Sequence, residues 1–361
     1  MNKKKIIVYP YGAEIAPCVR FLNLIENYEI CDIISPKGWG FTNHDACIAD
    51  RYEKIGISVK ENINWNANFD AILISDCINI RILEEQIIDV MLLAIKRNID
   101  IVYTIPSGKI NLPEIISNYK HFYRYENNIR PIVTSMKLKN INTPIVFIFG
   151  LSENSNKFYL QLMVRQKLLS LCYKISQIGS RTYCEIFGFH SIPDFLKSKE
   201  YSEKEKIIGF NNYIWEIEQN EKPDIIIIGI PGGVMRESDD SCDFGIMAFL
   251  ISNAVSASFS CLTMHFSEIT YEYLHMLKTV LSYRYNINPD CFYLSNKYIE
   301  AEMQKLQLDY IDYVVLDNDY VIDYIGENKN ILSIPVFCKT DEDEQNKLSM
   351  LIIKKLTEYG E

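Results

Sequence analysis

Short blocks of consecutive apolar residues alternate along this chain with longer stretches whose apolar positions recur every three or four residues. The first signature is that of a strand buried on both faces, the second that of an amphipathic helix. In the first part of the chain the blocks predict strands at 5–9, 30–35, 69–75 and 99–105, with helices at 13–27 and 81–98 and a turn-rich break at 36–40. Residues 107–143 mix proline, asparagine and charge with short apolar pieces and read as a connection. From Pro144 the alternation restarts. Strands are predicted at 145–149, 174–179, 224–230, 256–265, 291–294, 313–316 and 334–337. Helices are predicted at 158–172, after Ser202, and at 245–254, 271–285 and 343–358. Ser202 and Glu205 stand in capping-box spacing at the start of one of these helices.

Repeated strand–helix alternation predicts parallel sheets with helices packed on their faces. The fold class expected is therefore α/β with two doubly wound domains. The first is Rossmann-like, 1–140, and the second a degenerate P-loop NTPase-like domain, 141–361. The turn after the first strand is Pro10-Tyr11-Gly12-Ala13-Glu14, without the G-x-G-x-x-G fingerprint, so no dinucleotide is assigned. Glu14, Asp76 and Asn79 fall near strand ends, where helix caps and turn residues also belong.

A length of 361 residues suits two domains, and a 48% hydrophobic content suits two sizeable cores. The net charge of −10 argues against a nucleic-acid surface and a basic membrane patch. Ten cysteines without a CxxC pair argue for reduced core thiols in a cytoplasmic protein rather than a metal or disulfide framework. No apolar run reaches the ~18 residues that a bilayer span requires.

The chemistry concentrates in Pro144-Ile-Val-Phe-Ile-Phe-Gly-Leu-Ser-Glu-Asn-Ser-Asn-Lys-Phe158. Strand, glycine, polar loop, lysine and helix form the layout of a phosphate-binding loop, in which backbone N–H groups and a helix N-terminus face an anion. The candidates there are Gly150, Ser155, Asn156 and Lys157. An ordinary strand–helix turn with a surface lysine has the same layout. A second stretch, Asp224-Ile-Ile-Ile-Ile-Gly-Ile-Pro-Gly-Gly233, ends an apolar strand in Gly232 and Gly233, placing flexible backbone where a phosphate would sit. Arg181, after a strand end and a Gly-Ser pair, either clamps an anion or pairs with Glu185. His190 reads as a partly buried histidine. Glu237, Asp239, Asp240 and Asp243 form an acidic loop, either solvated or a Mg²⁺ substitute. No catalytic residue is assigned, and no metal site.

These two stretches together resemble the dethiobiotin-synthetase-like branch of P-loop NTPases, with its G-x5-G-K-T loop and its later E-G-x-G-G strand end. Gly150, Lys157, Gly232 and Gly233 keep that spacing, while Asn156 replaces a glycine, Phe158 the hydroxyl residue and Gly229 the acid. The resemblance places Asn296 against a nucleotide base. It implies ATP or another nucleotide as ligand, and the three replacements put Mg²⁺ and NTP hydrolysis in doubt. If the site is a decayed one, Phe158→Thr with Gly229→Glu should improve Mg²⁺-nucleotide affinity. The run 174–190, with Pro193-Asp194-Phe195 and the Ile-Pro-Gly-Gly segment, is similar to a family of peptide-maturation-system proteins found beside radical-SAM maturases. That likeness implies an accessory role in making a ribosomally synthesised peptide natural product. It implies a precursor peptide and a maturase as partners. Arg181 and His190 with Tyr183, Phe187 and Phe189 form a mixture of charge and rings suited to gripping an extended peptide, and the competing reading is that these aromatics are core. A homodimer is also compatible. The alternatives are an ATP-dependent ligase or kinase activating a carboxylate, and a ligand-free scaffold.

Overall fold

The computed structural model describes residues 3–77, 80–125, 127–133, 135, 137–236, 244–299, 313–332, 334–338 and 342–358. Asn79, Glu237, Asp239, Asp240 and Asp243 lie outside them. The chain forms two compact units: residues 1–126 with 182–188, and residues 127–181 with 189–361.

The first unit is built on a five-stranded sheet. In chain order its elements are β1 (Lys4–Tyr9), α1 (Ala16–Arg20), β2 (Tyr28–Ile33), β3 (Ala71–Ile74), α2 (Glu84–Lys96), β4 (Asp100–Tyr103), α3 (Glu114–Ser117) and β5 (Phe122–Arg124). The spatial order is β2-β1-β3-β4-β5 with every pairing parallel, a common doubly wound arrangement. Ile7, Ile72, Ile74, Ile101 and Tyr103 face Ile87 and Met91 of α2 in one buried cluster. The helix expected at 13–27 shrinks to α1 because Pro17 has no N–H to give to an earlier turn and Phe21 leaves helical geometry. Residues 182–188 belong to this unit: the Tyr183 hydroxyl donates to the Glu14 carbonyl at 3.3 Å and Thr182 Oγ1 to the Thr104 carbonyl at 3.3 Å.

The second unit carries β6 (Ile145–Gly150), α4 (Lys157–Ser170), β7 (Ile175–Gly179), β8 (His190–Ser191), α5 (Glu203–Glu221), β9 (Ile225–Gly233) and α6 (Ile246–Ala254). Then come β10 (Phe259–Phe266), α7 (Tyr271–Tyr285), β11 (Cys291–Tyr298), β12 (Val314–Val315), α8 (Asn318–Leu332), β13 (Val336–Phe337) and α9 (Glu342–Glu358). The sheet order is β12-β11-β10-β6-β9-β7-β8, with β13 also on β11, and only β12 runs antiparallel. β6 sits inside the sheet between β9 and β10, and all its residues are buried, as its unbroken apolar run requires. Phe147, Phe149, Ile226 and Ile228 share a core cluster with Phe210 and Ile214. α5 opens on the expected Ser202–Glu205 capping box.

Residues 127–140 are grouped with this second unit, and the reason is polar. Asn211 of α5 accepts from the Lys139 N–H at 2.7 Å and donates to its carbonyl at 3.1 Å, acting as a strand partner for a segment without one. Pro131 packs on Gly209, where a Cβ would stand 2.5 Å from the proline ring. Both sheets are parallel α/β assemblies, as the apolar pattern predicts.

Candidate functional site

The loop between β6 and α4 is shaped by backbone geometry that its sequence disguises. Asn154 and Asn156 both adopt left-handed backbone angles, φ of 55° and 62°. That region is costly for most side chains and least so for Asn among residues with a Cβ. Asn156, where the resembled loop has glycine, therefore keeps the glycine conformation. Gly150 cannot be replaced: a Cβ there would lie 2.6 Å from the Ser152 carbonyl oxygen and 2.7 Å from Lys157 Cδ. Gly233 is as restricted, with Ser152 Cα at 2.9 Å from its added Cβ.

Lys157 is buried, folded into the loop rather than out to solvent. Its Nζ donates to the Gly232 carbonyl, lies 3.5 Å from the Ser152 carbonyl, and stands 3.7 Å from Glu153 Oε2. The lysine thus joins the loop to the Gly232–Gly233 strand end, the juxtaposition expected from the two sequence stretches. Ser155 is fully buried, its hydroxyl bonded to Thr263 Oγ1 at 2.7 Å and donating to the Ser152 carbonyl at 3.1 Å. Asn156 Nδ2 donates to Asn296 Oδ1 at 3.3 Å, so Asn296 also meets the loop.

Two register shifts make these meetings possible. β6 and β9 pair Ile148 with Gly229 and then Gly150 with Gly233, so β9 carries extra residues opposite Phe149. β10 and β11 pair Met264 with Leu294 and then Phe266 with Tyr298, leaving extra residues on β11 opposite His265. Bulges of this kind re-aim side chains and backbone at strand ends. Here they deliver the Gly232 carbonyl to Lys157 and Asn296 to Asn156.

The place of the missing acid is filled. Gly229 faces Gln161 of α4, and an added Cβ would lie 2.0 Å from Gln161 Oε1. Gln161 is fully buried; its Nε2 donates to Ser180 Oγ at 3.0 Å and its Oε1 accepts the Ser180 N–H at 3.2 Å. A neutral amide thus holds the end of β7, immediately before Arg181. Phe158 is buried in the first turn of α4 and offers no oxygen to a cation. Gln177 is buried with neither amide atom bonded. Among the described residues no group of three or more His, Cys, Asp or Glu side chains stands together as a metal site.

Of the two readings of the aromatic segment, burial selects core. Tyr183, Phe187 and Phe189 are 5%, 1% and 4% exposed, so these rings are core and present no groove. Tyr183 and Phe187 moreover belong to the first unit and Phe189 to the second. His190, partly exposed, bonds Glu221 Oε1 at 2.5 Å through Nε2. In the first unit Asp76 is engaged by Lys109 at 2.6 Å and caps the Cys77 N–H.

One contributor carried no sequence signal. His265 of β10 is buried, and its Nε2 donates to the Glu153 carbonyl at 2.7 Å, tying the loop to the sheet. Burial is the main force that lowers its pKa from 6.5 to about 4, with Lys297 and Lys157 nearby adding to the effect. It is neutral at pH 7.

A two-unit α/β protein with a P-loop-like strand–loop–helix in its second sheet is the class these features define. No protein-family model and no curated protein matches the sequence. Among solved structures, a DUF1611 family protein from Anabaena variabilis superposes with a TM-score of 0.63 at 9% identity, over 99% of this chain and 100% of that one. At that identity the likeness is one of fold, and it spans both units. Chloroplast FtsY from Physcomitrella patens (TM-score 0.34, 13% identity) covers 63% of this chain and 69% of its own. The 54 kDa signal recognition particle protein from Aeropyrum pernix, solved with GDP (0.33, 8%), covers 63% of this chain and 50% of its own. None of these three is described as a peptide-maturation protein. No helix among the described residues is long and apolar enough to cross a membrane.

Proposed function

We propose that the loop from Gly150 to Lys157 binds the phosphate groups of a nucleotide, ATP or a relative, without efficient hydrolysis. The observation that carries this reading is the loop's conformation. Two asparagines hold left-handed angles, and the buried lysine is packed on Gly150 and bonded to the Gly232 carbonyl. A phosphate entering would replace that carbonyl as the partner of Lys157, at the N-terminus of a 14-residue helix whose dipole favours an anion. Phe158 and Gly229 leave Mg²⁺ without its usual protein oxygens, so binding rather than turnover is the expected output.

The test is thermal stability of the full chain with ATP, ADP, GDP and inorganic triphosphate, with and without Mg²⁺. Ligand at about 100 times its Kd is expected to raise Tm by roughly 5–10 °C, without needing the metal. Lys157→Ala should fold and lose the shift. A chain indifferent to all four ligands, or a shift that Lys157→Ala leaves intact, refutes the reading. Glu153→Gln supplies a second check. Its carboxylate stands 3.7 Å from Lys157 Nζ and competes with an incoming anion. Removing it should tighten triphosphate binding by about threefold to tenfold at low salt, and less as salt screens the charge.

An accessory role in peptide maturation is the reading that the likeness of residues 174–190 supports. A precursor peptide and a radical-SAM maturase would then be the partners, with the covalent chemistry in the maturase. Co-purification of the three components tests it, and failure to form a complex at micromolar concentrations removes it.

A further inference from the structure

We infer that Asn296 is a positioning residue for the phosphate loop: its amide holds Asn156 in the left-handed conformation that shapes the loop, in place of reading a nucleotide base. Asn156 stands at the N-cap of α4 with φ 62° and ψ 21°. An asparagine at an N-cap ordinarily has extended backbone and turns its side chain back onto an N–H of the first helical turn. This one makes no such bond. Its carbonyl accepts the first helical bond, from the Leu160 N–H at 3.1 Å. Its side chain crosses to β11, 140 positions along the chain, and donates to Asn296 Oδ1 at 3.3 Å. Glycine enters the left-handed region freely, whereas a residue with a Cβ does so at a cost. The bond to Asn296 offsets part of that cost.

Asn296 is itself held in place. It is 1% exposed and lies where β11 bulges opposite His265. Its main-chain carbonyl accepts the Leu316 N–H at 2.7 Å, and its Nδ2 donates to the Leu316 carbonyl at 3.4 Å. The residue just after β12 thus fixes both its backbone and its side chain. With Nδ2 engaged by Leu316, the amide presents Oδ1, an acceptor, to the donor group of Asn156.

This role deepens the phosphate-loop reading and rests on it only for its consequence at the ligand. Asn156 immediately precedes Lys157, so its backbone angles set where the first turn of α4 begins and where the lysine is carried. β10 fixes the same loop through Thr263 to Ser155 and through His265 to the Glu153 carbonyl. Asn296 adds a tether from β11 at the last residue before the helix. A residue that shapes the loop affects every ligand with a phosphate chain alike. An amide that reads a base affects only ligands that carry one. ATP and inorganic triphosphate therefore separate the two roles.

The experiment is calorimetric titration of the full chain with ATP and with inorganic triphosphate, combined with the denaturant midpoint of each variant. Asn296→Ala is expected to weaken both ligands by the same factor, about threefold to tenfold, the loss of one hydrogen bond. In the Asn156→Gly background the same substitution should change triphosphate affinity by less than about twofold, because glycine needs no hold. Asn156→Ala, which keeps the backbone cost and removes the amide, should bind triphosphate more weakly than Asn156→Gly. That comparison leaves Asn296 in place and stands even where Asn296→Ala fails to fold. No loss with Asn296→Ala, a loss confined to ATP, a loss of equal size in both backgrounds, or alanine at 156 binding as well as glycine overturns the inference. A wild type that binds neither ligand refutes the phosphate-loop reading, and the midpoints then decide on Asn296 by itself. Costs of Asn156→Gly and Asn296→Ala that combine less than additively support its hold on the loop, and additive costs overturn that as well.

Discussion

Gly229→Glu is expected to destabilise the second unit by more than about 3 kcal/mol, although in the resembled family an acid at this place is functional. An added Cβ at Gly229 falls 2.0 Å from Gln161 Oε1 and 2.1 Å from its Cδ, so the glutamine must leave. Its departure breaks the two hydrogen bonds that hold Ser180, and it has no solvent route because Gln161 is fully buried. The new carboxylate would be buried in place of a neutral amide. Gly229→Ala needs the same displacement without the charge and should cost about 1–3 kcal/mol. The gain in Mg²⁺-nucleotide affinity expected of Phe158→Thr with Gly229→Glu therefore meets an obstacle: the space at Gly229 is taken by Gln161. The informative construction is the exchange Gly229→Glu with Gln161→Ala. A glutamate rising from β9 into the vacated volume would find the Ser180 N–H and hydroxyl as donors. The double variant should be more stable than the sum of the single effects by at least about 1 kcal/mol. Denaturant midpoints of the wild type, two single variants and the double variant measure this coupling. Additive costs would mean that Gln161 does not fill the place of the acid.

The pair of Gly229 and Gln161 also shows why the strands were legible and this part of the site was not. Strands such as 145–149 and 225–230 are buried on both faces, so no position carries a polar side chain and the block stands out from any neighbour. Gly150 and Lys157 were legible because the loop spacing is local. Gln161 replaces a side chain from another strand, and complementarity between a helix and a strand 60-odd positions on leaves no local pattern in one sequence. Asn156 misled in the opposite direction. Read by residue type it breaks the loop motif; read by φ it preserves it, because Asn tolerates the left-handed region. The aromatic run 183–189, flanked by Arg181 and His190, reads either as a gripping surface or as core, and around its short turn of 3₁₀-helix Tyr183, Phe187 and Phe189 are buried. His265 sits in a strand buried along its full length, where a lone histidine in an apolar block reads as core. Only the bulge on β11 and the Glu153 carbonyl give it a role.

That role predicts a pH dependence. The folded pKa of His265 is about 4 against an ordinary 6.5. Burial is the first cause, and Lys297 of β11 and Lys157 of α4 oppose the charge further. The Glu153 and Lys297 backbones pull the other way, and the Tyr313 ring lies 6.3 Å from the imidazole. Because the folded pKa is depressed, the unfolded chain binds the proton more readily between these values. Stability from this group is complete above pH 6.5 and is lost as pH falls towards 4, by up to about 3 kcal/mol. Asp45 in the first unit behaves differently. Burial raises its pKa, but the N–H groups of Cys47, Ile55 and Gly56 outweigh burial and hold it at about 2, so its contribution is lost only below about 3.8. The two windows do not overlap. Denaturant unfolding of the wild type between pH 7 and 4.5 should show a falling midpoint, and His265→Gln should flatten that slope while leaving the decline below pH 4 in place. The glutamine amide retains a donor for the Glu153 carbonyl, so the loop keeps its anchor at neutral pH. If His265→Gln and the wild type lose stability in parallel from pH 7 to 4.5, the histidine is not held neutral by its surroundings, and its bond to the loop is not what acid breaks.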